Sequence, residues 1–447
     1  MPKIYDIGDT IAAISTPAGP GGIGIVRLSG PHALEVADQV FRARNGQKPS
    51  AFAAYTVHYG DVIRSSGGTD ELIDEALVTV MRAPKSYTCE DVVEISCHGG
   101  SAALKAVLSL VLEHGARLAE PGEFTKRAFL NGRIDLAQAE AVLDIIRAKT
   151  QTGLAVSEHQ LKGELTRELE RIREGLMAVY VQIEARVNFP EEDSVVEAGN
   201  LVREPLLDVQ KQITALLSTS EQGRILRDGM RIVICGRPNV GKSSLLNALL
   251  RQPRAIVSAI EGTTRDAIEE SAQINGVPFQ MVDTAGILEP RDEIEHEAVK
   301  RSHWHIEQSD LVLFVLDESV ALQPGDVQLA ERLDGQRVLI VLNKSDLPNV
   351  IDEAKIASLL PKARRQAVSA LTRSGIEELG TAILDEVLHG QRQDSQNILL
   401  TNVRHIQALN ESSRELAGAL EDLKTGISIE FVSEKIKAAI HGLDRIT

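Results

Sequence analysis

The chain has 447 residues, 43% of them hydrophobic, and at ~100–200 residues per domain it is long enough for two to four compact cores. Aromatic residues make up only 3% of the chain, which argues against a surface that binds single-stranded nucleic acid mainly by stacking bases on rings. The formal net charge of −16 argues against general attraction to phosphate, so a nucleic-acid partner would need a local basic patch or a helper protein.

Residues 1–118 are predicted to form a compact α+β domain. Short strand-like runs, such as Gly24–Leu28, Ala76–Val80 and Val92–Ile95, alternate there with amphipathic helical segments. The opening residues lack a signal-peptide core, and the apolar runs stay far below the ~20 residues that a membrane span needs. We therefore expect a soluble, cytoplasmic protein that does not act at a membrane.

The cysteines are Cys89, Cys97 and Cys235. Their odd number and uneven spacing fit neither a disulfide framework nor a zinc site. We predict buried or unreactive thiols.

Residues 119–222 are predicted to be helical. Asp135–Lys149 is apolar at helical spacing, and a second apolar pattern steps by three or four residues from Leu161 to Val187. If the second pattern is one helix over residues 151–188, that helix is roughly 55 Å long at ~1.5 Å per residue. Such a helix would serve as a spacer or as a strut between two subunits.

Strands alternate with helices over residues 223–380. The predicted strands are Arg231–Cys235, Leu311–Leu316 and Val338–Leu342, the predicted helices are Lys242–Leu250 and Ser374–Leu388, and Asn275-Gly276 is a predicted hairpin turn. Residues 381–447 are helical again, with the pattern clear from Asn397 onward. Because helical sequence flanks the α/β segment on both sides, the simplest architecture is a nucleotide-binding domain inserted into a helical domain made of residues 119–222 and 381–447.

Gly236 to Ser243 reads Gly-Arg-Pro-Asn-Val-Gly-Lys-Ser and fits the phosphate-loop pattern G-x-x-x-x-G-K-[ST] between a predicted strand and a predicted helix. Its glycines let backbone N–H groups surround phosphates, its lysine supplies a positive charge to the β- and γ-phosphate oxygens, and its serine hydroxyl is a ligand for Mg²⁺. The nucleotide-binding residues predicted here are Asn239, Val240, Gly241, Lys242, Ser243 and Ser244.

Three further motifs follow in the order that a GTPase needs. Gly262-Thr263-Thr264-Arg265-Asp266 offers a threonine that can complete the Mg²⁺ shell. Asp283-Thr284-Ala285-Gly286 places a carboxylate in the outer shell of the metal and a glycine N–H at the γ-phosphate. In Asn343-Lys344-Ser345-Asp346, the carboxylate of Asp346 can accept from two donors on the edge of guanine, whereas adenine would leave that acceptor unpaired. The four motifs together predict a guanine-specific nucleotide site.

The residue that orients the attacking water is not fixed by these motifs. Ras-like enzymes carry a glutamine directly after Asp-Thr-Ala-Gly, but Ile287 stands there and cannot orient a water molecule. The acidic run Asp292-Glu293-Ile294-Glu295 offers candidate carboxylates, and spacing alone does not choose among them.

Two long signatures resemble the family of tRNA-modifying GTPases called MnmE or TrmE, and the resemblance covers essentially the whole chain. They are the opening segments Thr10–Ala13 and Gly21–Gly30, and Pro121–Arg133 followed by Asp135–Glu140. The resemblance implies a GTPase domain inserted into a helical domain. It also implies a homodimer formed through N-terminal domains that bind a one-carbon tetrahydrofolate in its formyl or methylene form. The positions that match folate contacts of the family are Arg27, Glu94 and Arg133.

In that family, K⁺ replaces an arginine finger when two GTPase domains meet across their nucleotides. The matching K⁺ positions are Asn239, Ser258, Ile260 and Thr263, and the matching nucleotide-contacting switch positions are Ser258, Ala259, Ile260, Glu261, Gly262, Thr263 and Thr264. Thr264 matches the Mg²⁺ threonine, and Glu295 matches the glutamate that orients water. Ser369-Ala370-Leu371 resembles the guanine-contacting Ser-Ala-Lys, with leucine in place of lysine.

The resemblance implies GTP hydrolysis, stimulated by K⁺, in the modification of tRNA. The family acts with the FAD-containing protein MnmG (GidA), in a heterotetramer or larger complex, to add an aminomethyl or carboxymethylaminomethyl group at C5 of the wobble uridine. Two alternatives are an Era-like GTPase of ribosome assembly and a regulatory GTPase without modification chemistry. The latter is favoured by the end of the sequence at Leu443–Thr447, before the Cys-x-Gly-Lys tail of the family. We expect the 447-residue chain to hydrolyse GTP, to bind folate weakly at best, and to need that tail for modification.

Overall fold

The structure is a computed structural model that describes residues 8–66, 68–188, 195–250, 269–274, 276–283, 304–388 and 398–447. The chain divides into two compact units, residues 1–142 and 143–447, and each contains its own β-sheet. In these described ranges, no helix is long and apolar enough to cross a membrane.

The elements of the first unit follow a mixed α+β order. They are β1 (Ile11–Ile14), β2 (Ile23–Ser29), α1 (Ala33–Val40), β3 (Phe41–Ala43), β4 (Val57–Ser66), β5 (Thr69–Met81), β6 (Val92–His98), α2 (Ser101–Glu113), β7 (Arg117–Leu118), α3 (Glu123–Leu130) and α4 (Leu136–Arg147), the last of which runs into the second unit. The three strand-like runs predicted from sequence lie within β2, β5 and β6, so those predictions are confirmed.

The sheet of the first unit has the strand order β3-β4-β5-β6-β2-β1-β7, antiparallel except for the pair β1 and β7. Alternate side chains of each strand point to opposite faces. Val26 and Leu28 of β2 are fully buried in a core shared with α1 and α2, whereas Arg27 between them is only half-buried. The polar residues of the opposite face are therefore set beside one another by sheet register.

A network of charged side chains fastens α3 to the strands. Arg127 is 3% exposed and pairs with Asp9, Glu90 and Glu123, while Arg117 also contacts Asp9 and Glu123, each at 2.6 Å. Burial acts to raise the pKa of Asp9 and of Glu123, but the arginine hydrogen bonds outweigh it and both pKa values are lowered. The network therefore fixes the start of the segment that ends at Arg133.

The second unit contains helices on both sides of an α/β segment. Its elements are α5 (Gln151–Leu161), α6 (Glu164–Asn188), α7 (Val195–Ser218), α8 (Ser220–Asp228), β8 (Met230–Cys235), α9 (Lys242–Leu250), β9 (Glu269–Ile274), β10 (Val277–Asp283), β11 (Leu311–Asp317), α10 (Pro324–Arg332), β12 (Val338–Asn343), α11 (Glu353–Leu359), β13 (Arg364–Val368), α12 (Ile376–Leu388), α13 (Val403–Thr425) and α14 (Ile429–Asp444).

The prediction of one helix over residues 151–188 is wrong, because the chain forms α5 and α6 with a break between them. Gly163 has φ +74°, the left-handed conformation that ends a helix and that glycine adopts without strain. The apolar stripe of α6, including Leu169, Ile172 and Leu176, is buried where α6 packs against α7 and α14. The pattern thus marks a packed bundle helix.

A bundle of α6, α7, α13 and α14 is made from two chain segments that flank the α/β segment. This is the inserted arrangement that the sequence predicts. Where the chain passes between the two parts, Gly223 lies so close to the carbonyl of Leu400 that an added Cβ would stand 2.1 Å from its oxygen. Arg227 bonds Asp144 at 2.9 Å, and Gln160 donates to Thr401 at 2.9 Å. These contacts hold the two points where the chain enters and leaves the α/β segment, near Arg227 and Thr401, against Asp144 and α5.

The sheet of the second unit has the order β13-β12-β11-β8-β10-β9 and is parallel except for the hairpin of β9 and β10. Ile274 lies opposite Val277 in that antiparallel pair, which confirms the predicted hairpin, while Asn275 of the predicted turn lies outside the described residues. The predicted strands and helices of this segment are also confirmed. Because the strands are parallel, β8, β10, β11, β12 and β13 all end at one edge of the sheet, where open α/β sheets bind ligands.

Candidate functional site

The phosphate-loop sequence follows β8 and leads into α9, as the motif requires. Asn239 and Gly241 have φ +66° and +97°, so the loop is turned tightly between strand and helix. Lys242 donates from Nζ to the carbonyl oxygens of Gly236 at 3.0 Å and Arg237 at 2.9 Å. The lysine ammonium is therefore held over the loop, close to where phosphates would bind.

Asn343 joins the phosphate loop to the neighbouring strand ends. Its side chain is buried, donates to the carbonyl of Val240 at 2.8 Å, and accepts from the backbone N–H of Ala370 at 3.0 Å. Gly241 lies directly against it, since a Cβ on Gly241 would stand 2.2 Å from Asn343 Nδ2. This close approach requires glycine at the second glycine position of the motif. The Asn343 amide thereby links its own loop to the phosphate loop and to the loop that contains Ala370.

The carboxylate of Asp346 faces a cavity at the same edge. Ser369 donates from Oγ to Asp346 Oδ1 at 2.6 Å, which orients the carboxylate, and Asp346 is exposed. The cavity has a volume of about 530 Å³, within the usual range for a small-molecule site. It is lined by Gly241, Ser244, Asn247, Ala248, Asn343, Lys344, Asp346, Leu347, Ala370, Leu371 and Arg373. An oriented carboxylate at the wall of such a cavity can accept from two adjacent donors of a planar base.

Lys344, which also lines this cavity, is held by Asp317, a carboxylate outside the sequence motifs. Lys344 Nζ lies 2.5 Å from Asp317 Oδ2, at the paired ends of β11 and β12, and Ser319 also donates to Asp317. Burial acts to raise the pKa of Asp317, but the hydrogen bonds from Lys344 and Ser319 outweigh it and lower the pKa. Asp317 thus remains charged and keeps Lys344 against the pocket.

Several residues predicted from sequence lie outside the described part of the chain. They are Ser258, Ala259, Ile260, Glu261, Gly262, Thr263, Thr264, Thr284, Ala285, Gly286 and Glu295. Asp283 is described as the last residue of β10, at the edge of the sheet to which the phosphate loop also belongs. Ser345 follows Lys344 in the loop after β12, and the exposed hydroxyls of Ser243 and Ser244 lie in the first turn of α9.

The three predicted folate residues meet in the first unit. Arg27 on β2 is directly opposite Glu94 on β6, and their side chains form an ion pair with nitrogen–oxygen distances of 2.8 and 2.7 Å. Arg133 reaches the same cluster, where its guanidinium lies 4.8 Å from the centre of the Tyr87 ring and donates to the Tyr87 carbonyl at 2.7 Å. The residues come from three separate parts of the sequence.

Tyr87 and Phe124 complete this cluster and are not predicted from the sequence. The Arg27 guanidinium lies 5.7 Å from the centre of the Tyr87 ring and 5.6 Å from that of Phe124. The Tyr87 ring contacts the guanidinium groups of both Arg27 and Arg133, and its hydroxyl shares a 2.9 Å hydrogen bond with the hydroxyl of Thr125. Phe124 stands inside the Pro121–Arg133 signature, but neither ring has a spacing pattern that points to an arginine.

The free thiols divide by burial. Burial raises the pKa of the Cys97 thiol to about 11 and that of the Cys235 thiol to about 12. Both are therefore protonated at neutral pH and poor nucleophiles, as predicted. Cys89 is partly exposed and has φ +60°, a left-handed conformation that is unusual for a residue with a side chain.

Comparison with known proteins shows matches along the whole chain. A family model described as the N-terminus of the GTP-binding protein TrmE matches residues 10–133, and one described as the MnmE helical domain matches residues 136–447. The tRNA modification GTPase MnmE of Bacillus licheniformis is 45% identical over 425 residues, which are 95% of this chain and 92% of that protein. The protein of the same name from Alkaliphilus metalliredigens is 43% identical over 441 residues, which are 99% of this chain and 95% of that protein.

Among solved structures, the chain is similar to Era from Aquifex aeolicus bound to GDP and AlF₄⁻, at 28% identity over 42% of this chain and 66% of that one, with a TM-score of 0.30. It is also similar to the FeoB G-domain from Methanococcus jannaschii, at 30% identity over 36% of this chain and 98% of that one, with a TM-score of 0.28. At these scores the likenesses add nothing to the fold described above.

Proposed function

The chain belongs to the MnmE family of tRNA modification GTPases, and from that premise we propose that it binds and hydrolyses GTP in the course of modifying tRNA. The observation that carries the proposal is the convergence, at one edge of the second sheet, of a phosphate-loop lysine, a buried asparagine and an oriented aspartate. Family membership favours this function over the Era-like alternative drawn from sequence.

In the proposed complex, guanine lies in the cavity, and the two hydrogen-bond donors on its edge donate to the carboxylate of Asp346. The β- and γ-phosphates lie over the phosphate loop, where Lys242 and backbone N–H groups at the start of α9 offset their charge. Asn343 keeps the loops at fixed separation, so the base and phosphate subsites are formed before the nucleotide binds. GDP would occupy the same site after hydrolysis.

Two cations are proposed for this site. Asn239 and Ser243 are both exposed residues of the phosphate loop, as ligands of a phosphate-bound cation need to be. Ser243, with Thr264, would hold Mg²⁺, and Asn239, with Ser258, Ile260 and Thr263, would hold K⁺. The two ions supply positive charge to the phosphate oxygens when bound. Glu295 is proposed to orient the attacking water.

We expect GTP turnover to be at least tenfold faster in K⁺ than in Na⁺ at equal ionic strength, because a cation at Asn239 offsets charge that develops on the transferred phosphoryl group. Turnover is measured as phosphate release in potassium chloride and in sodium chloride. The affinity for GDP, measured in both salts, serves as the control. Equal turnover in the two salts contradicts the K⁺ proposal.

We further propose that the first unit binds a one-carbon tetrahydrofolate, in formyl or methylene form, at the cluster of Arg27, Glu94 and Arg133. Arg27 is neutralised by Glu94, whereas no carboxylate lies within ion-pair distance of Arg133 in the part of the chain that the structure describes. Arg133 is thus a cation suited to an anionic ligand group, and Glu94 offers acceptors for ring N–H donors.

Arg133→Gln is expected to weaken binding of 5-formyltetrahydrofolate about tenfold or more, because a charge-assisted contact is lost. Titration calorimetry measures the affinity. Arg44→Gln is the matched control, since Arg44 pairs with Asp61 on the sheet surface, outside the cluster. Equal affinities of the unaltered chain and the Arg133 variant would place the ligand elsewhere.

The modification step is proposed from family membership. The chain would act as a homodimer with the FAD-containing protein MnmG, in a heterotetramer or larger complex, to add an aminomethyl or carboxymethylaminomethyl group at C5 of the wobble uridine of tRNA. The domain limits proposed for this activity are residues 1–118 for folate binding, to which Arg133 is added by the segment that follows, 223–380 for GTP hydrolysis, and 119–222 with 381–447 for the helical domain.

A further inference from the structure

Arg237, the second residue of the phosphate-loop motif, is held by a carboxylate 89 positions further along the chain. Its Nε donates to Asp326 Oδ1 at 2.7 Å. The Asp326 side chain is 3% exposed and that of Arg237 is 23% exposed, so the contact is shielded from water. A shielded charge pair of this geometry fixes both partners more firmly than a surface ion pair does.

Asp326 is itself immobilised by the start of α10. Its other oxygen, Oδ2, accepts from the backbone N–H of Gln323 at 3.0 Å, the residue before Pro324 begins the helix. One carboxylate therefore closes the first turn of α10 and holds a side chain of the phosphate loop. The neighbouring strand β11 and α10 are part of one apolar core that includes Leu329 and Ala330. The anchor point for Arg237 is thus rigid.

The same arginine residue contacts Lys242 through its backbone. The carbonyl oxygen of Arg237 accepts from Lys242 Nζ at 2.9 Å, beside the bond from Lys242 to Gly236. Asp326 fixes the side chain of Arg237, and the carbonyl of Arg237 fixes the ammonium group of Lys242. The three residues form a chain of contacts from α10 to the lysine ammonium of the phosphate loop.

We propose that Asp326 is a positioning residue for Lys242, acting through Arg237, and that it orients the lysine ammonium for the β- and γ-phosphates. The inference rests on the proposed function, since it concerns the same nucleotide site. If instead Asp326 served only to cap α10, its replacement would lower the stability of the fold without a specific effect on phosphate binding.

Asp326→Asn separates these two roles. The asparagine oxygen can still accept from the Gln323 N–H, so the cap is kept, whereas the charge that holds Arg237 is lost. Arg237→Ala removes the other end of the pair. We expect each variant to weaken binding of the fluorescent N-methylanthraniloyl derivative of GDP about tenfold, and the double variant to be no weaker than either single one, because the contact is shared.

A second cycle tests whether the effect passes through the lysine. With Lys242→Met as the background, Asp326→Asn should change the affinity for the same GDP derivative less than twofold, because no ammonium remains to be oriented. An equal tenfold loss in both backgrounds overturns the proposal, since Asp326 would then act on the loop as a whole. An affinity of Asp326→Asn within twofold of the unaltered chain also overturns it.

Asp310→Asn is the matched control. Asp310 also accepts from an arginine, Arg224, and from a backbone N–H, that of Arg231 at 2.7 Å, but it lies before the first residue of β11, at the edge of the sheet opposite the nucleotide site. We expect it to lower the unfolding temperature as Asp326→Asn does and to leave GDP binding unchanged. If Asp326→Asn does not fold, Arg237→Ala carries both cycles. A folded chain that binds no GDP derivative overturns the proposed function and the inference together.

Discussion

Asp346→Asn is expected to weaken GTP binding on the order of a thousandfold and to strengthen binding of xanthosine triphosphate. The carboxylate accepts from two donors of guanine, and an asparagine would set its own amide donor against one of them, leaving a polar group unpaired in the site. Xanthine has a carbonyl in place of the amino group, so the asparagine donor would then find an acceptor. The change in specificity, unlike a loss of affinity alone, does not follow from damage to the fold.

Competition between the two triphosphates for a fluorescent nucleotide measures this change. Asp352→Asn is the matched control, because Asp352 is an exposed aspartate of the same loop region that caps α11 through Ala354 and Lys355. Asparagine caps a helix as well as aspartate does, so both affinities should stay unchanged. If the Asp346 variant keeps its preference for GTP, Asp346 does not bind guanine.

Glu295→Ala is expected to lower GTP turnover on the order of a hundredfold to a thousandfold while GDP and GTP affinities change less than twofold. A residue that orients water acts in the transition state, so its loss lowers kcat without weakening ground-state binding. Single-turnover hydrolysis and nucleotide titration on the same variant measure the two quantities. Loss of binding and turnover together would indicate a structural role. A comparable loss in Asp292→Asn or Glu293→Gln would assign the water to another carboxylate of the acidic run.

The fold of the nucleotide-binding segment is predicted well from sequence because its signals are local. Buried parallel strands read as short apolar runs, and the phosphate loop has a fixed pattern between a strand and a helix. The helix predicted over residues 151–188 fails for a local reason as well. Apolar spacing continues in phase across Gly163, but the left-handed backbone at that glycine separates the end of α5 from the start of α6 at Glu164.

The contacts that complete the sites are not predictable in the same way. Asp326 stands in the first turn of α10 and Asp317 at the end of a buried strand, and each is an ordinary acidic residue in its own segment. Their partners, Arg237 and Lys344, are distant in sequence, and only the sheet order β12-β11-β8 brings the pairs together. The contacts of Tyr87 are likewise not predictable from its own segment, because Arg27 and Arg133, which lie against its ring, come from different parts of the sequence.

Mass analysis of tRNA nucleosides tests the proposed function most directly, because it shows whether this chain takes part in modification of the wobble uridine. Total tRNA from cells that carry the intact gene is compared with tRNA from cells that lack it and from cells that carry only the Asp346→Asn variant. We predict that aminomethyl-type groups at uridine C5 disappear in the deletion strain and fall sharply with the variant. An unchanged set of C5-modified uridines in the deletion strain would contradict the proposed function and favour a regulatory GTPase without modification chemistry.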